Sequence, residues 1–147
     1  MQTRDLIAAV GTPRIVLTDK HGNVKQDFSV PNLVVTSGKV FIASRMIGTE
    51  QNVMSHMALG TGTTAAVVAN KSLQTEVFRN LFSAFSSSSA VITYTANFIA
   101  GQATGAMTEA GVFSASTGGT MLCRTVFPVV NKGADDAMSI TWTVTIQ

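Results

Sequence analysis

The chain has 147 residues, 46% of them apolar and only 12% charged, with a net charge of +2 and one cysteine. A chain of this length can bury roughly two-thirds of its unfolded surface in a single core without covalent staples, so one domain is expected. The lone Cys123 excludes an intrachain disulfide and a cysteine-ligated zinc site, and the basic residues are scattered from Arg4 to Lys132 rather than gathered into a nucleic-acid-binding stripe.

The charged fraction is about half that of ordinary soluble domains. Thr, Ser, Gly and Ala must therefore cover much of the surface, and a surface of that kind often faces other subunits. The apolar run from Leu6 to Val10 is too short for the core of a secretion signal, and no window reaches the ~18 apolar residues of a membrane-spanning helix. Synthesis in the cytoplasm, with no membrane partner, is the expectation.

In chain order, Arg14 to Thr18 and Val24 to Val30 suit two strands, and the connection Asp19 to Asn23 contains the Gly22 that a tight loop wants. In the second arm Val24, Phe28 and Val30 share one face. Residues 37–48 predict a short helix, capped by Ser37 and ended by Gly48, with Val40, Phe41, Ser44 and Ile47 on the face turned to a sheet. Short strands follow from Val53 onward. His56 to Gly60 runs into the turn Gly60-Thr61-Gly62-Thr63-Thr64, residues 73–82 form a further strand, and Phe85 to Ala90 reads as a polar hairpin connection.

Val91 to Ile99 then alternates, with Ile92, Tyr94, Ala96 and Phe98 on one side. Ala106 to Ser114 and Thr120 to Val130 come next, separated by the turn Ser116 to Gly119. The closing strand carries Met138, Ile140, Trp142, Val144 and Ile146 on one face and Ser139, Thr141, Thr143, Thr145 and Gln147 on the other. A one-residue slip would expose the whole apolar set, so its register is firmly specified. Ile92, Tyr94, Phe98, Met138, Ile140, Trp142, Val144 and Ile146 are the predicted core. The fold class is all-β: an antiparallel β-sandwich or jelly-roll-like module with one short helix near residues 37–48.

Little in the sequence points to catalysis. The glycine turn at residues 60–64 fits neither the Walker phosphate loop nor the GxGxxG dinucleotide fingerprint. His21 and His56 stand apart from any metal-binding spacing, and Asp135 and Asp136 lie in a turn, where aspartate bonds its own backbone. No set of acid, base and nucleophile can be assembled, so no enzyme activity and no cofactor or metal are expected. Glu109 is the odd residue, set in an apolar strand between Met107 and Val112. A cross-strand ion pair with Arg124 is the expected reason for it.

Four segments together carry a resemblance: Met57 to Thr64 (MALGTGTT), Gly105 to Phe113 (GAMTEAGVF), Gly118 to Phe127 (GGTMLCRTVF) and Lys132 to Asp136 (KGADD) leading into the closing strand. In order and spacing they resemble small virion proteins of tailed bacteriophages, which carry an ALGTGTT … TEAGLF … GGTMLARTVF … NKGAxDxLTVTWTI pattern. The resemblance covers residues 53–147 and implies a β-sandwich core there, with residues 1–50, the hairpin and helix, as a segment that docks it to a neighbour. It further implies a non-enzymatic structural protein located in the virion. A capsid decoration (cement) protein is the first expectation, a homo-oligomer, as a trimer, bound to the major capsid protein or other virion proteins and to no nucleic acid. The alternative is a tail- or fibre-associated receptor-binding module, with the loops around Ser86 to Ser89 and Ser114 to Gly119 as its contacts.

Overall fold

The computed structural model describes residues 6–48 and 51–147. Of the expected docking segment, residues 1–5 and 49–50 therefore lie outside the described residues. The first sheet holds β1 (Ala9–Thr18), β2 (Val24–Ser29), β6 (Ala84–Ser88), β7 (Val91–Phe98) and β10 (Ala137–Ile146), in the order β2-β1-β10-β7-β6. The second holds β3 (Leu33–Val34), β4 (His56–Gly60), β5 (Glu76–Leu81), β8 (Gly105–Phe113) and β9 (Met121–Lys132), in the order β3-β9-β8-β4-β5. Every pairing is antiparallel. The chain is an all-β sandwich with one short helix, α1 (Thr36–Arg45).

The closing strand is the axis of the first sheet. β10 pairs with β1 over ten residues and with β7 over eight, so Trp142 sits between Pro13 and Tyr94. Met138, Ile140, Trp142 and Val144 are buried, as is Phe98, and the Thr and Ser between them stay partly exposed. That is the predicted alternation, and two strong neighbours hold its register. Sheet-to-sheet packing is fastened by aromatic pairs: Phe28 against Phe127, with ring centroids 6.3 Å apart, and Phe78 edge-on to Phe98 at 6.4 Å.

Three expectations are corrected. The sandwich is not confined to residues 53–147: β1 lies inside the first sheet between β2 and β10, because its alternating Pro13, Ile15 and Leu17 supply buried side chains to the common core. The stretch from Phe85 is not a connection but strand β6, paired to β7 through Phe85 opposite Tyr94 and Ser87 opposite Ile92. The turn is only Ser89-Ala90, with Ser89 at a φ of 55°. Main-chain pairing to a strongly alternating neighbour overrides the weak strand preference of serine.

The helix meets the expected face only in part, with Phe41 buried and Ser44 half-buried as expected. Gly38 and Phe41 are its buried residues, while Val40 and Ile47 are exposed, Ile47 lying in the turn beyond the last helical residue. A Cβ on Gly38 would run into the Leu122 carbonyl of β9, so glycine at this position is what lets the helix backbone lie on the strand. Ser37 donates from Oγ to the Met121 carbonyl at 2.8 Å rather than capping, and the N-cap position is Val35.

The register of β10 makes a direct prediction. Ile140→Ala should cost about 2–5 kcal/mol in urea unfolding, whereas Thr141→Ala, one residue on and facing outward, should cost under about 1 kcal/mol. Equal losses at the two positions would contradict the assigned faces.

Candidate functional site

Glu109 and Arg124 project from β8 and β9 on the outer side of the second sheet, where the loop from Thr61 to Thr75 crosses over them. Arg124 stands opposite Gly111, two residues along from Glu109, so the pair is diagonal across the ladder. The expected ion pair is present and fully enclosed. Arg124 donates to Glu109 Oε2 from Nη2 at 2.8 Å and from Nε at 3.1 Å, with side-chain exposures of 2% and 0%.

The loop completes the bonding of both charges. Glu109 Oε1 accepts from the Gly62 N–H at 2.9 Å and the Thr75 N–H at 2.7 Å, and Oε2 accepts from the Gln74 N–H at 3.0 Å. Arg124 donates in turn to the Thr64 carbonyl and to Asn70 Oδ1. Burial on its own would raise the Glu109 carboxyl. The N–H groups of Thr75 and Gln74, the Arg124 guanidinium and the Gly62 N–H outweigh it and hold the carboxyl below its ordinary range. Gly60 and Gly62 are glycines for the same reason: a Cβ would stand 2.6 and 2.5 Å from Glu109 Oε1.

A second enclosed charge closes the opposite end of β9. Lys132 is buried and donates from Nζ to the carbonyls of Ile99 at 3.0 Å and Asp136 at 2.6 Å. Desolvation lowers its pKa, against the attraction of Asp136. Asp136 accepts on Oδ2 from Lys25 Nζ and the Gly133 N–H, both at 2.8 Å, which keeps its carboxyl below the ordinary range. Its carboxylate is thus committed to tying the β9–β10 turn to β2.

Between the sheets at the β6 end lies an open apolar cleft of about 740 Å³. Phe41 and Ile42 of α1 form one wall, Ile92, Tyr94, Val144 and Ile146 the other, and Phe82 and Phe85 its mouth. Four of the predicted core residues therefore serve as a cleft wall, and of these Ile92, Tyr94 and Ile146 are only half-buried. Tyr94 stacks on Phe82 at 4.7 Å, and desolvation first, then Cys123, pushes its phenol up to about 12.

Ser55 also reaches the cleft, with Oγ 2.7 Å from Nδ1 of its neighbour His56. Desolvation, followed by Arg79, lowers the His56 pKa. Among the described residues, however, no carboxylate bonds the other ring nitrogen, and the Ser55 backbone N–H is already given to the Phe113 carbonyl. His21 sits instead in the β1–β2 turn, where its N–H bonds Asp19. Among the described residues no three His, Cys, Asp or Glu side chains converge on one point.

The cleft itself was invisible in sequence, since it is assembled from α1, β6, β7 and β10, which lie far apart in the chain. No protein-family model, curated protein or solved structure matches this chain.

Two predictions follow from the Glu109 cluster. Glu109→Ala, which leaves Arg124 enclosed without a counter-charge, should cost about 3–5 kcal/mol in chemical unfolding, and Arg124→Met added to it should restore part of that loss. Because the folded carboxyl titrates below its unfolded value near 4.3, its stabilisation is complete above that value and disappears as the pH falls through the lower folded one. Stability measured from pH 6 down to pH 2 should therefore fall more steeply for the native chain than for Glu109→Gln.

Proposed function

We propose that this chain is a non-enzymatic structural protein of the virion of a tailed bacteriophage. Within the particle we assign it to the outer capsid shell, as a homo-oligomeric decoration protein that binds the major capsid protein. The observation that carries the reading is where the shared motifs lie. Gly62 and Thr64 of the first, Glu109 of the second and Arg124 of the third meet in one hydrogen-bonded cluster for which Gly60 leaves room, and Lys132 with Asp136 of the fourth forms the other enclosed charge site. The resemblance thus falls on the residues that specify a particular loop and turn of a sandwich, which is what a likeness between structural proteins should preserve.

The outer face of the first sheet supports a docking role. Its cross-strand rows, Thr12–Thr143–Thr93–Ser86 and Arg14–Thr141–Thr95–Ala84, are uncharged apart from Arg14. Arg14 is itself paired with Asp27 at 2.6 Å. Such a face can be wetted in the free protein and buried against a shell without stranding charges. The tail-associated alternative rests on two polar loops, and of these Ser86 to Ser88 is a strand edge, while Ser114 to Gly119 is held by Arg79, which donates to the Ala115 and Gly118 carbonyls.

Incubating purified protein with undecorated capsids, followed by sedimentation and cryo-electron microscopy, tests the assignment. Saturable binding with density on the outer shell is expected. Density restricted to the tail would move the chain to the alternative, and no association with any virion part would refute the virion reading as a whole.

A further inference from the structure

The four sheet edges are not equally protected. β2 carries Lys25 and Asp27, β5 carries Glu76 and Arg79, and β3 is only two residues long. β6, Ala84-Phe85-Ser86-Ser87-Ser88, has no charge, no proline and no break in register, and all five residues are exposed. An edge of this kind offers free main-chain donors and acceptors to another strand, and folded proteins ordinarily block it.

The same edge borders exposed apolar surface. Phe85 is 76% exposed and Leu81 64%, Val53 lies beside them on the cleft, and Met46 and Ile47 follow directly on the cleft-lining Arg45. Solitary exposed apolar residues need no explanation, but Phe85, Leu81 and Val53 line one opening, and Met46 and Ile47 adjoin it in the chain. Phe85, Leu81 and Val53 thus place exposed apolar side chains directly beside an unblocked strand edge.

We propose that β6 and the cleft mouth are a self-association surface, through which a second copy of this chain pairs β6 against β6 in antiparallel fashion about a two-fold axis. The partner is a second copy because the surface is self-complementary: a neutral strand meets itself with no like charges opposed, and the two-fold axis brings the apolar mouth of each copy beside that of the other. Pleat parity supports the arrangement. Phe85 and Ser87 share the cleft face of β6, being paired with Tyr94 and Ile92. Centring the pairing on Ser86 therefore sets each Phe85 opposite the other copy's Ser87, where it closes over that copy's cleft. The two first sheets become one ten-stranded sheet with a continuous Thr- and Ser-rich outer face. This deepens the homo-oligomeric reading proposed above, and it replaces the expected trimer by a dimer.

The test is the mass of the full chain by light scattering and sedimentation equilibrium, for the native protein, for Ser86→Asp and Ser86→Lys, and for the two variants mixed. Ser86 is exposed, pairs with Thr93 and borders the cleft without entering the buried core, and circular dichroism checks that both variants remain folded. A native dimer is expected at micromolar concentration, with dimerisation weakened at least 100-fold in each variant alone and restored in the mixture. A native monomer, a trimer, or a dimer indifferent to both variants would overturn the proposal. A chain that stays monomeric yet decorates capsids would refute the pairing while leaving the virion reading intact, and one that dimerises as described but binds no virion part would do the reverse.

Discussion

The second sheet is organised around a carboxylate and a guanidinium that have been taken out of water. Enclosing Glu109 and Arg124 costs several kcal/mol per ion unless nearly every bonding position is filled, and β8 and β9 alone fill only the contacts between them. The rest come from the loop between β4 and β5: three N–H groups for the carboxylate, one carbonyl and one amide oxygen for the guanidinium. Dependence therefore runs in both directions. The irregular loop is anchored by the ion pair, and the ion pair is tolerable only because the loop lies over it.

That arrangement divides the molecule into unlike halves. The second sheet is covered on both faces, by the first sheet on one side and by the anchored loop on the other, where a small cluster of Val35, Ala58, Leu73, Phe113 and Met121 fills the outer layer; α1 lies against the β9 backbone at Met121 and Leu122 and sends Phe41 into the shared core. β8 accordingly is buried continuously from Met107 to Phe113 instead of alternating. The first sheet keeps one face open, and its central strands β1 and β10 alternate cleanly. Arg79, whose guanidinium lies 3.8 Å from the centre of the Phe113 ring while bonding two carbonyls of the 114–119 loop, seals the outer layer's edge.

What could be read from the sequence follows this division. β7, β10 and the β1–β2 hairpin have one dry and one wet face, so their pattern states their structure. Glu109 could be matched with Arg124 because a lone carboxylate in an apolar strand demands a partner nearby. The loop's share in the cluster could not be read, since its contribution is made by backbone N–H groups that no side chain announces; only Gly60 and Gly62 betray it, by leaving room for the carboxylate. The helix face was only partly placed because apolar periodicity favours Val40 and Ile47, whereas close approach to β9 is decided by the one residue without a side chain, Gly38. β6 escaped because serine carries little strand signal and its pairing is settled by β7.

The cleft is the consequence of these choices at the β6 end. β6 extends the first sheet past β7 and is exposed throughout, whereas β7 is half-buried at Ile92 and Tyr94 and fully buried only at Ala96 and Phe98. Burial on β7 thus fades from the end packed against β5, where Phe78 meets Phe98, toward the turn that leads back to β6. A sandwich that needed only its own stability could have ended the first sheet at β7 or covered β6 with charge. It instead keeps a neutral edge beside an apolar opening while the remaining edges carry charge or are cut short. Uncharged along its length and paired on one side alone, that edge leaves main-chain donors and acceptors open beside the cleft.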